Sequence, residues 1–191
     1  MAKMQKILDG VKVGALLDEL GQHPELWDKY PLRTKAGISP HRECHDIWLR
    51  FRDWGEFKDD PALFCNTQHV PVWYPEMDKL PAIKAMVENI AKLVDCDELG
   101  GCLVTKIPAG KQVYPHADLG YNCGHYLSKY LLLLQSAPGQ AFCFDGEAHQ
   151  GVAGDLFIFD NRFSHWVDNG SGTDRISLLM SIKQQGQEVA A

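Results

Sequence analysis

The second half of the chain is a succession of short apolar runs, each followed by residues that favour turns. Turn signals such as Pro108 to Gly110 and Asn169 to Gly172 separate the runs, because proline, asparagine and glycine adopt backbone conformations that reverse the chain. Many short strands with frequent turns are typical of sandwiches and barrels. We therefore expect a mainly β fold with flanking helices. The predicted strands are 102–107, 112–114, 126–135, 141–144, 156–159, 165–167 and 175–182.

The first half of the chain combines helical and irregular patterns. Leucines and valines over 3–22 predict a helix, because they recur at helical spacing. Alternation over 44–52 predicts a strand that is buried on one face. Apolar residues at helical spacing predict a second helix over 79–95, with Asp78 as its N-cap and Pro81 in its first turn.

Length and composition are those of an ordinary globular protein. The chain has 191 residues, of which 45% are hydrophobic and 23% are charged. A chain of this length buries enough surface to fold without disulfides. We expect a single domain over 1–191, in which 1–95 form a helical and irregular N-terminal part and 96–185 form the β core that carries the functional site. The sequence does not define an oligomeric state.

Charge and cysteine content argue against several classes of protein. The net charge of −6 disfavours a nucleic-acid partner, because phosphate backbones attract basic surfaces. The chain has no long apolar stretch that would cross a membrane, and its N-terminus is too polar for a signal peptide. The six cysteines form no CxxC pair, which favours free thiols over a disulfide framework. We therefore predict a cytoplasmic protein without a membrane segment.

His116 and Asp118 are separated by one residue in the sequence VYPHADLG. Side chains of an extended chain repeat every two residues, so both point to the same side and can reach one ion. His165 begins a later predicted strand and supplies a third ligand. Two imidazoles and one carboxylate on one face of an octahedral ion leave three positions open, as in non-haem Fe(II) oxygenases.

Arg175 and Ser177 follow on the last predicted strand and share one of its faces. A guanidinium makes a planar, two-pronged contact with a carboxylate and keeps its charge when buried. A serine hydroxyl can donate a further hydrogen bond to the same carboxylate. The pair can therefore hold the far end of a dicarboxylate whose other end chelates the metal. Each of these residues alone is more often structural, so the hypothesis rests on their combination.

A second cluster of metal-ligating residue types lies at His41, Cys44 and His45. The two histidines would share one face of a helix, as in zinc proteases. That signature requires a glutamate directly after the first histidine, and Arg42 occupies this position. The segment also alternates like a strand from Cys44 onward, so we disfavour a zinc site here.

Four segments of the second half resemble the Fe(II)/2-oxoglutarate-dependent dioxygenases, and within them the aspartyl/asparaginyl β-hydroxylase-like branch. They are VYPHAD at 113–118, KYLLLLQ at 129–135, GDLFIFDNRFSHWVDN at 154–169 and DRISLLMSI at 174–182. The resemblance implies a double-stranded β-helix, also called a jelly roll or cupin-like barrel, with helices packed on one side. It implies that Fe(II) is held by His116, Asp118 and His165. It also implies that 2-oxoglutarate is held by Arg175.

Tyr130 lies on the strand after the HxD loop, where relatives of this kind place a second contact to 2-oxoglutarate. His125 and Lys129 are weaker candidates for the same contact. The chain departs from the resemblance at one position. The best-known β-hydroxylases of this branch use two histidines without a carboxylate ligand, whereas Asp118 gives this chain the full triad. This departure weakens the inference that the chain shares the peptide substrate of those β-hydroxylases.

These observations predict an enzyme that couples the oxidative decarboxylation of 2-oxoglutarate to the hydroxylation of a C–H bond, with O2 as a further substrate. The substrate is a small molecule or a peptide, hydroxylated on an Asp- or Asn-type side chain or on an amino-acid-like molecule. The loops 66–77 and 119–125 are the predicted roof of the pocket. Their candidate substrate contacts are His69, Trp73, Tyr74 and Tyr121. The alternatives are a non-catalytic cupin-like module that binds a metal or small ligand, and a structural domain in which the triad is coincidental.

Overall fold

The computed structural model describes residues 2–35, 38–58 and 67–184. The strands within these residues are β1 Met4–Leu8, β2 His45–Phe51, β3 Val72–Trp73, β4 Cys96–Ile107, β5 Gln112–His116, β6 Ser128–Gln135, β7 Gln140–Phe144, β8 Glu147–His149, β9 Leu156–Phe159, β10 His165–Asn169 and β11 Arg175–Gln184. They form an antiparallel seven-stranded sheet in the order β1-β9-β6-β11-β4-β2-β3 and an antiparallel four-stranded sheet in the order β5-β10-β7-β8. The expectation of a double-stranded β-helix is confirmed.

Helices cover the outer face of the larger sheet. The described helices are α1 Gly14–Gln22, α2 Leu32–Lys35, α3 Trp54–Phe57, α4 Pro81–Leu93 and α5 Tyr121–His125, with 3-10 helices at Pro24–Leu26 and Pro75–Lys79. Leu16 and Leu20 of α1 pack with Ile83 and Val87 of α4 against the buried side chains of the sheet. Burial of this apolar layer supplies the main stabilisation of the N-terminal part.

Strand alternation divides each central strand between two cores. On β6, Leu132 and Leu134 face the helices, whereas Leu131 and Leu133 face the space between the two sheets. Side chains of successive strand residues point to opposite faces, so a run of consecutive leucines fills both cores. The inner core is lined by aromatic residues from the smaller sheet, such as Phe142.

The strand predicted over 44–52 is present as β2, but both of its faces are buried. Ile47 and Leu49 pack under the helices. Trp48, on the opposite face, packs in an aromatic cluster with Tyr74. The expectation that one face is exposed was wrong because residues distant in sequence cover the second face.

The helix predicted over 3–22 is present only in part. Residues 4–8 form β1, which pairs with β9 in a register that sets Met4 opposite Phe159. Gly10 has a positive φ of 66° and lies between β1 and the helix that begins at Gly14. The pairing satisfies backbone groups at the edge of the larger sheet, and this tertiary gain outweighs the local helical pattern.

The helix predicted over 79–95 is present as α4, but Asp78 does not cap it. Asp78 lies in the preceding 3-10 helix. The backbone amides of Ala82 and Ile83 instead donate hydrogen bonds of 2.8 and 3.0 Å to the carboxylate of Glu19 in α1. A side chain from another helix therefore satisfies the first amides of α4.

Gly100 and Gly101 lie inside β4, although their sequence resembles a break between elements. A Cβ atom on Gly100 would lie 2.9 Å from the ring of Tyr126, and one on Gly101 would lie 2.9 Å from the ring of Phe51. The two glycines are in the strand because they allow aromatic rings to approach its backbone closely. They do not end an element, and β4 therefore begins at Cys96 and not at 102 as predicted.

The five cysteines in the described part of the chain are free thiols, and Cys65 lies outside the described residues. No helix among the described residues has the length and apolar character needed to cross a membrane.

Candidate metal centre

His116 and His165 are brought together by the pairing of β5 with β10. The two residues are direct partners in the register, and their ring centroids are 4.4 Å apart. Asp118 follows in the loop after β5, and its Oδ1 lies 3.6 Å from Nε2 of His116. One ligand atom from each of the three side chains lies within 4.8 Å of the other two. The predicted triad therefore converges on one point.

Both imidazole rings are oriented by backbone carbonyl groups. His116 Nδ1 lies 2.8 Å from the carbonyl oxygen of Tyr114, and His165 Nδ1 lies 2.9 Å from that of Phe163. A carbonyl oxygen only accepts hydrogen bonds, so each Nδ1 carries the proton. In the neutral ring this leaves the Nε2 lone pair free to bind a metal, and such a partner also fixes the ring.

Burial keeps the two imidazoles neutral. Burial, with a contribution from His165, lowers the pKa of His116 to about 4. Burial also lowers the pKa of His165. Burial alone would raise the pKa of Asp118, but Lys129 and the hydrogen bond from Asn161 outweigh it, and the pKa lies below its usual value. At neutral pH the site therefore offers two neutral nitrogens and one carboxylate, the protonation states that metal binding requires.

Asp118 is held by Asn161, which the sequence did not single out, and by Lys129, which the sequence suggested for a different contact. The side-chain amide of Asn161 donates a 2.7 Å hydrogen bond to Asp118 Oδ2. Lys129 Nζ lies 3.4 Å from the same oxygen. The segment FIFDNRFSH was part of the family resemblance, but nothing in it indicated that Asn161 contacts Asp118.

Arg175 lies at the start of β11 and is almost completely buried, with 4% of its surface exposed. It lines the cavity of about 480 Å³ that also contains the triad. Burial lowers its pKa to about 10, so the guanidinium remains charged at neutral pH. Its nearby ionisable groups are the thiols of Cys44 and Cys143, and no carboxylate in the described residues forms an ion pair with it. A buried charge without a partner is costly, so this position suits an anionic ligand.

Ser177 lies two residues after Arg175 and faces the same cavity. It is buried. The two side chains share a face because of strand alternation, as predicted from their spacing.

Tyr130 does not line the cavity, which corrects its expected contact with 2-oxoglutarate. It packs with Leu132 and Met180 in the core beneath the helices. Its neighbours on β6, Lys129 and Leu131, line the cavity instead. Strand alternation decides this, since adjacent residues face opposite sides of the sheet.

His125, the other weaker candidate, also lies elsewhere. Its Nε2 is 2.6 Å from the carboxylate of Glu98, in a surface groove next to the cavity. Of the two weaker candidates, only Lys129 therefore lies at the cavity.

Several residues of the N-terminal part line the cavity without having been predicted for this site, and Arg33 and His41 are the ionisable ones. The ring of His41 packs edge-on against that of His116 with 4.8 Å between centroids. Arg33 forms an ion pair with Asp46 and a 3.4 Å hydrogen bond with Thr105. The sequence of the segment that carries them has no regular pattern, so their position at the cavity could not be predicted from periodicity.

The rival zinc cluster is not assembled. His41 faces the cavity, whereas His45 Nδ1 lies 2.6 Å from Asp28. Cys44 is buried near the carbonyl oxygen of Gln112. Among the described residues, the group of three that can hold one ion is the predicted triad. Residues 41–43 form a turn and β2 begins only at His45, so the side chains do not share the helix face that a zinc-protease motif would need.

The predicted roof contributes differently from the expectation. Tyr74 is buried in an aromatic cluster, and its hydroxyl donates a 2.7 Å hydrogen bond to the carbonyl oxygen of Arg52. Trp73 lies under the guanidinium of Arg50. His69 and Tyr121 pack on each other in the neighbouring groove. The 119–125 loop reaches the cavity through Leu119, Asn122 and Cys123 instead.

A family model described as aspartyl/asparaginyl β-hydroxylase matches residues 27–185. A search of curated proteins found no significant match. Among solved structures, a prolyl hydroxylase from Trichoplax adhaerens in complex with a hypoxia inducible factor peptide has a TM-score of 0.63 and 12% identity, and the match covers 94% of this chain and 83% of that one.

Two further solved structures cover almost all of this chain. An oxidoreductase of the 2OG-Fe(II) oxygenase family from Burkholderia pseudomallei has a TM-score of 0.53 and 11% identity, over 92% of this chain and 93% of that one. A viral collagen prolyl hydroxylase from Paramecium Bursaria Chlorella virus-1, in complex with 2OG, has a TM-score of 0.53 and 13% identity. The match covers 96% of this chain and 97% of that one. At these identities the structural similarities establish a shared fold.

The residues of the cavity fit the cofactors of this family. Two neutral imidazoles and a carboxylate are the donor set of non-haem Fe(II) sites. A buried guanidinium with no carboxylate partner in the described part of the chain suits a dicarboxylate such as 2-oxoglutarate. From the family match, the chain belongs to the aspartyl/asparaginyl β-hydroxylase family and is an Fe(II)- and 2-oxoglutarate-dependent dioxygenase.

Proposed function

We propose that this enzyme hydroxylates a C–H bond of an amino-acid-like group, either free or in a peptide, using Fe(II) held by His116, Asp118 and His165. Arg175 and Ser177 hold the distal carboxylate of 2-oxoglutarate. One observation carries the proposal: the buried guanidinium of Arg175, which has no carboxylate partner among the described residues, shares a cavity with two neutral imidazoles and a carboxylate.

His116, Asp118 and His165 would hold Fe(II) through three donor atoms, and an octahedral ion would then have three positions for exchangeable ligands. When bound, Fe(II) activates O2, and 2-oxoglutarate supplies two electrons as it is decarboxylated. The protein contributes orientation. The carbonyl groups of Tyr114 and Phe163 keep the imidazole Nε2 atoms directed at the site.

Arg175 is suited to select a dianionic co-substrate. Its charge is already desolvated in the free protein, so binding a carboxylate restores an electrostatic partner at little further desolvation cost. Ser177, on the same face, adds a hydroxyl donor to the same carboxylate. A monocarboxylic keto acid would chelate the metal but leave Arg175 unpaired, so we expect it to bind more weakly.

The size and walls of the cavity support a small substrate group. A volume of about 480 Å³ lies in the lower part of the range for small-molecule sites. Leu103, Leu131 and Phe159 line the walls, and apolar walls of this kind exclude water from a reactive centre. The Trichoplax adhaerens prolyl hydroxylase was solved with a peptide, which supports a peptide-borne residue as one form of the substrate. The free thiols are in keeping with a reducing cytoplasm.

The experiment is an anaerobic titration of metal-free protein with Fe(II) and then 2-oxoglutarate. A visible metal-to-ligand charge-transfer band is expected when the keto acid chelates the metal. Arg175→Ala should weaken 2-oxoglutarate binding by about 2–5 kcal/mol, the cost of losing one partner of a buried charge pair. Arg162→Ala, which removes an exposed arginine paired with Asp160, is the matched control and should leave binding unchanged.

The outcomes separate the alternatives. If iron binds but no band forms, the chain is a metal-binding module without this co-substrate. If the protein does not bind iron, the triad is coincidental. If the band forms, succinate release in the presence of O2 and a panel of free amino acids and peptides identifies the substrate.

A further inference from the structure

We infer that Asn161 is a positioning residue for the metal centre, which holds Asp118 so that Oδ1 is the atom presented to the metal. This inference rests on the proposed metal site. Asn161 lies in the turn between β9 and β10, four residues before His165. Only 1% of its surface is exposed.

Asn161 holds Asp118 at two points. The backbone N–H of Asp118 donates a 2.9 Å hydrogen bond to the carbonyl oxygen of Asn161. The side-chain amide of Asn161 donates a 2.7 Å hydrogen bond to Asp118 Oδ2. The first contact fixes the loop, and the second fixes the rotation of the carboxylate group.

The orientation of the Asn161 amide is itself determined by a neighbour. Cys123 Sγ donates a 3.8 Å hydrogen bond to Asn161 Oδ1, a length suited to sulfur. Because the carboxylate of Asp118 only accepts hydrogen bonds, the amide nitrogen must face Asp118, which leaves Oδ1 as the acceptor for the thiol. The chain of contacts therefore runs from Cys123 through Asn161 to Asp118.

The two oxygens of Asp118 have different surroundings as a result. Oδ2 accepts the hydrogen bond from Asn161 and lies 3.4 Å from Lys129 Nζ. Oδ1 lies 3.6 Å from His116 Nε2, within the group of converging ligand atoms. Occupying Oδ2 with protein donors leaves Oδ1 as the ligand atom. A carboxylate that rotated freely would also use its second oxygen and occupy a position that the keto acid or O2 requires.

The test measures Co(II) affinity by visible absorption, without turnover. Co(II) binds nitrogen and oxygen sites more tightly than Fe(II), which keeps weakened variants measurable. Asn161→Leu removes the amide but keeps the side-chain volume, and we expect a 10- to 100-fold loss of affinity, as is typical when a partner of a metal ligand is removed. Asn89→Leu changes an exposed asparagine of α4, outside the cavity, and should leave Co(II) affinity unchanged.

A double-mutant cycle separates positioning from general stability. If Asn161 acts through Asp118, Asn161→Leu should alter Co(II) affinity less than twofold in an Asp118→Ala background. An equal loss in both backgrounds would show a structural role and overturn the inference, as would unchanged affinity in the single variant. If the wild-type protein binds no Co(II), the proposed metal site fails instead. Thermal unfolding of each metal-free variant checks that it is folded.

Discussion

His116 and His165 face each other across the pairing of β5 with β10, and their ring centroids are 4.4 Å apart. The first histidine ends its strand and the second begins its own, so a single position in the register brings them together. The metal centre therefore depends on correct pairing of the smaller sheet. A shift by one residue would turn one ring to the other face of the sheet.

Replacing His165 should remove metal binding without unfolding the protein. We expect His165→Ala to lower Fe(II) or Co(II) affinity by at least a hundredfold, because it removes one of the three proposed ligands. Isothermal titration calorimetry on metal-free protein measures the effect. His23→Ala, which removes a histidine paired with Glu25, serves as control. Unchanged affinity in the His165 variant would contradict the proposed ligand set.

Arg175 should lower the stability of the ligand-free protein. Its guanidinium is buried without a carboxylate partner in the described chain. We expect Arg175→Met to raise the free energy of unfolding by about 1–4 kcal/mol, because an apolar side chain replaces a desolvated charge. Urea unfolding of the metal-free protein gives the value, and Arg162→Met should change it by less than about 0.5 kcal/mol. A destabilised Arg175 variant would show that the charge has a partner in the folded protein.

Acid should destabilise the metal-free protein in part through His69. Burial lowers the pKa of His69, and 8% of the residue is exposed. The folded state therefore binds a proton less readily than the unfolded state, whose histidine pKa is about 6.5. The contribution of His69 to the free energy of unfolding is therefore complete above a pH of about 6.5. It is lost as the pH falls towards the lower pKa of His69 in the folded state.

The slope of the free energy of unfolding against pH tests this prediction. Between pH 6.5 and 5 the slope should be smaller in His69→Asn than in the wild type, because one proton-linked group is removed. Denaturant titrations at several pH values in that range provide the slope. Equal slopes would show that His69 is not linked to folding in this range.

Glu19, a residue of α1, should stabilise the first turn of α4 through direct hydrogen bonds. Its carboxylate accepts hydrogen bonds from the amides of Ala82 and Ile83. Glu19→Ala should lower the free energy of unfolding by about 1 kcal/mol, the typical effect of losing a helix cap. Asp18→Ala, at the neighbouring exposed position, should have little effect. If both variants behave alike in urea unfolding, the capping role is wrong.

The sequence by itself determined the features that depend on local periodicity. Arg175 and Ser177 are two residues apart on one strand, so they share a face wherever that strand lies. His116 and Asp118 have the same spacing, and their side chains lie together although Asp118 follows the end of β5. The repeated turn signals similarly predicted many short strands, and the jelly roll confirms this. Local geometry fixes these relationships because they involve neighbouring residues only.

Tertiary structure decided which residues meet when they are distant in sequence. Periodicity predicts that β6 has two faces, but it does not predict which face lines the cavity. The packing of the helices places Tyr130 on the face opposite the cavity. The same applies to Arg33, His41 and Asn161, which reach the site from a segment without regular pattern or from a turn. Residues 4–8 form a strand because β9 offers an unpaired edge. Each outcome depends on a partner surface that exists only once the sheets have paired and the helices have packed against them.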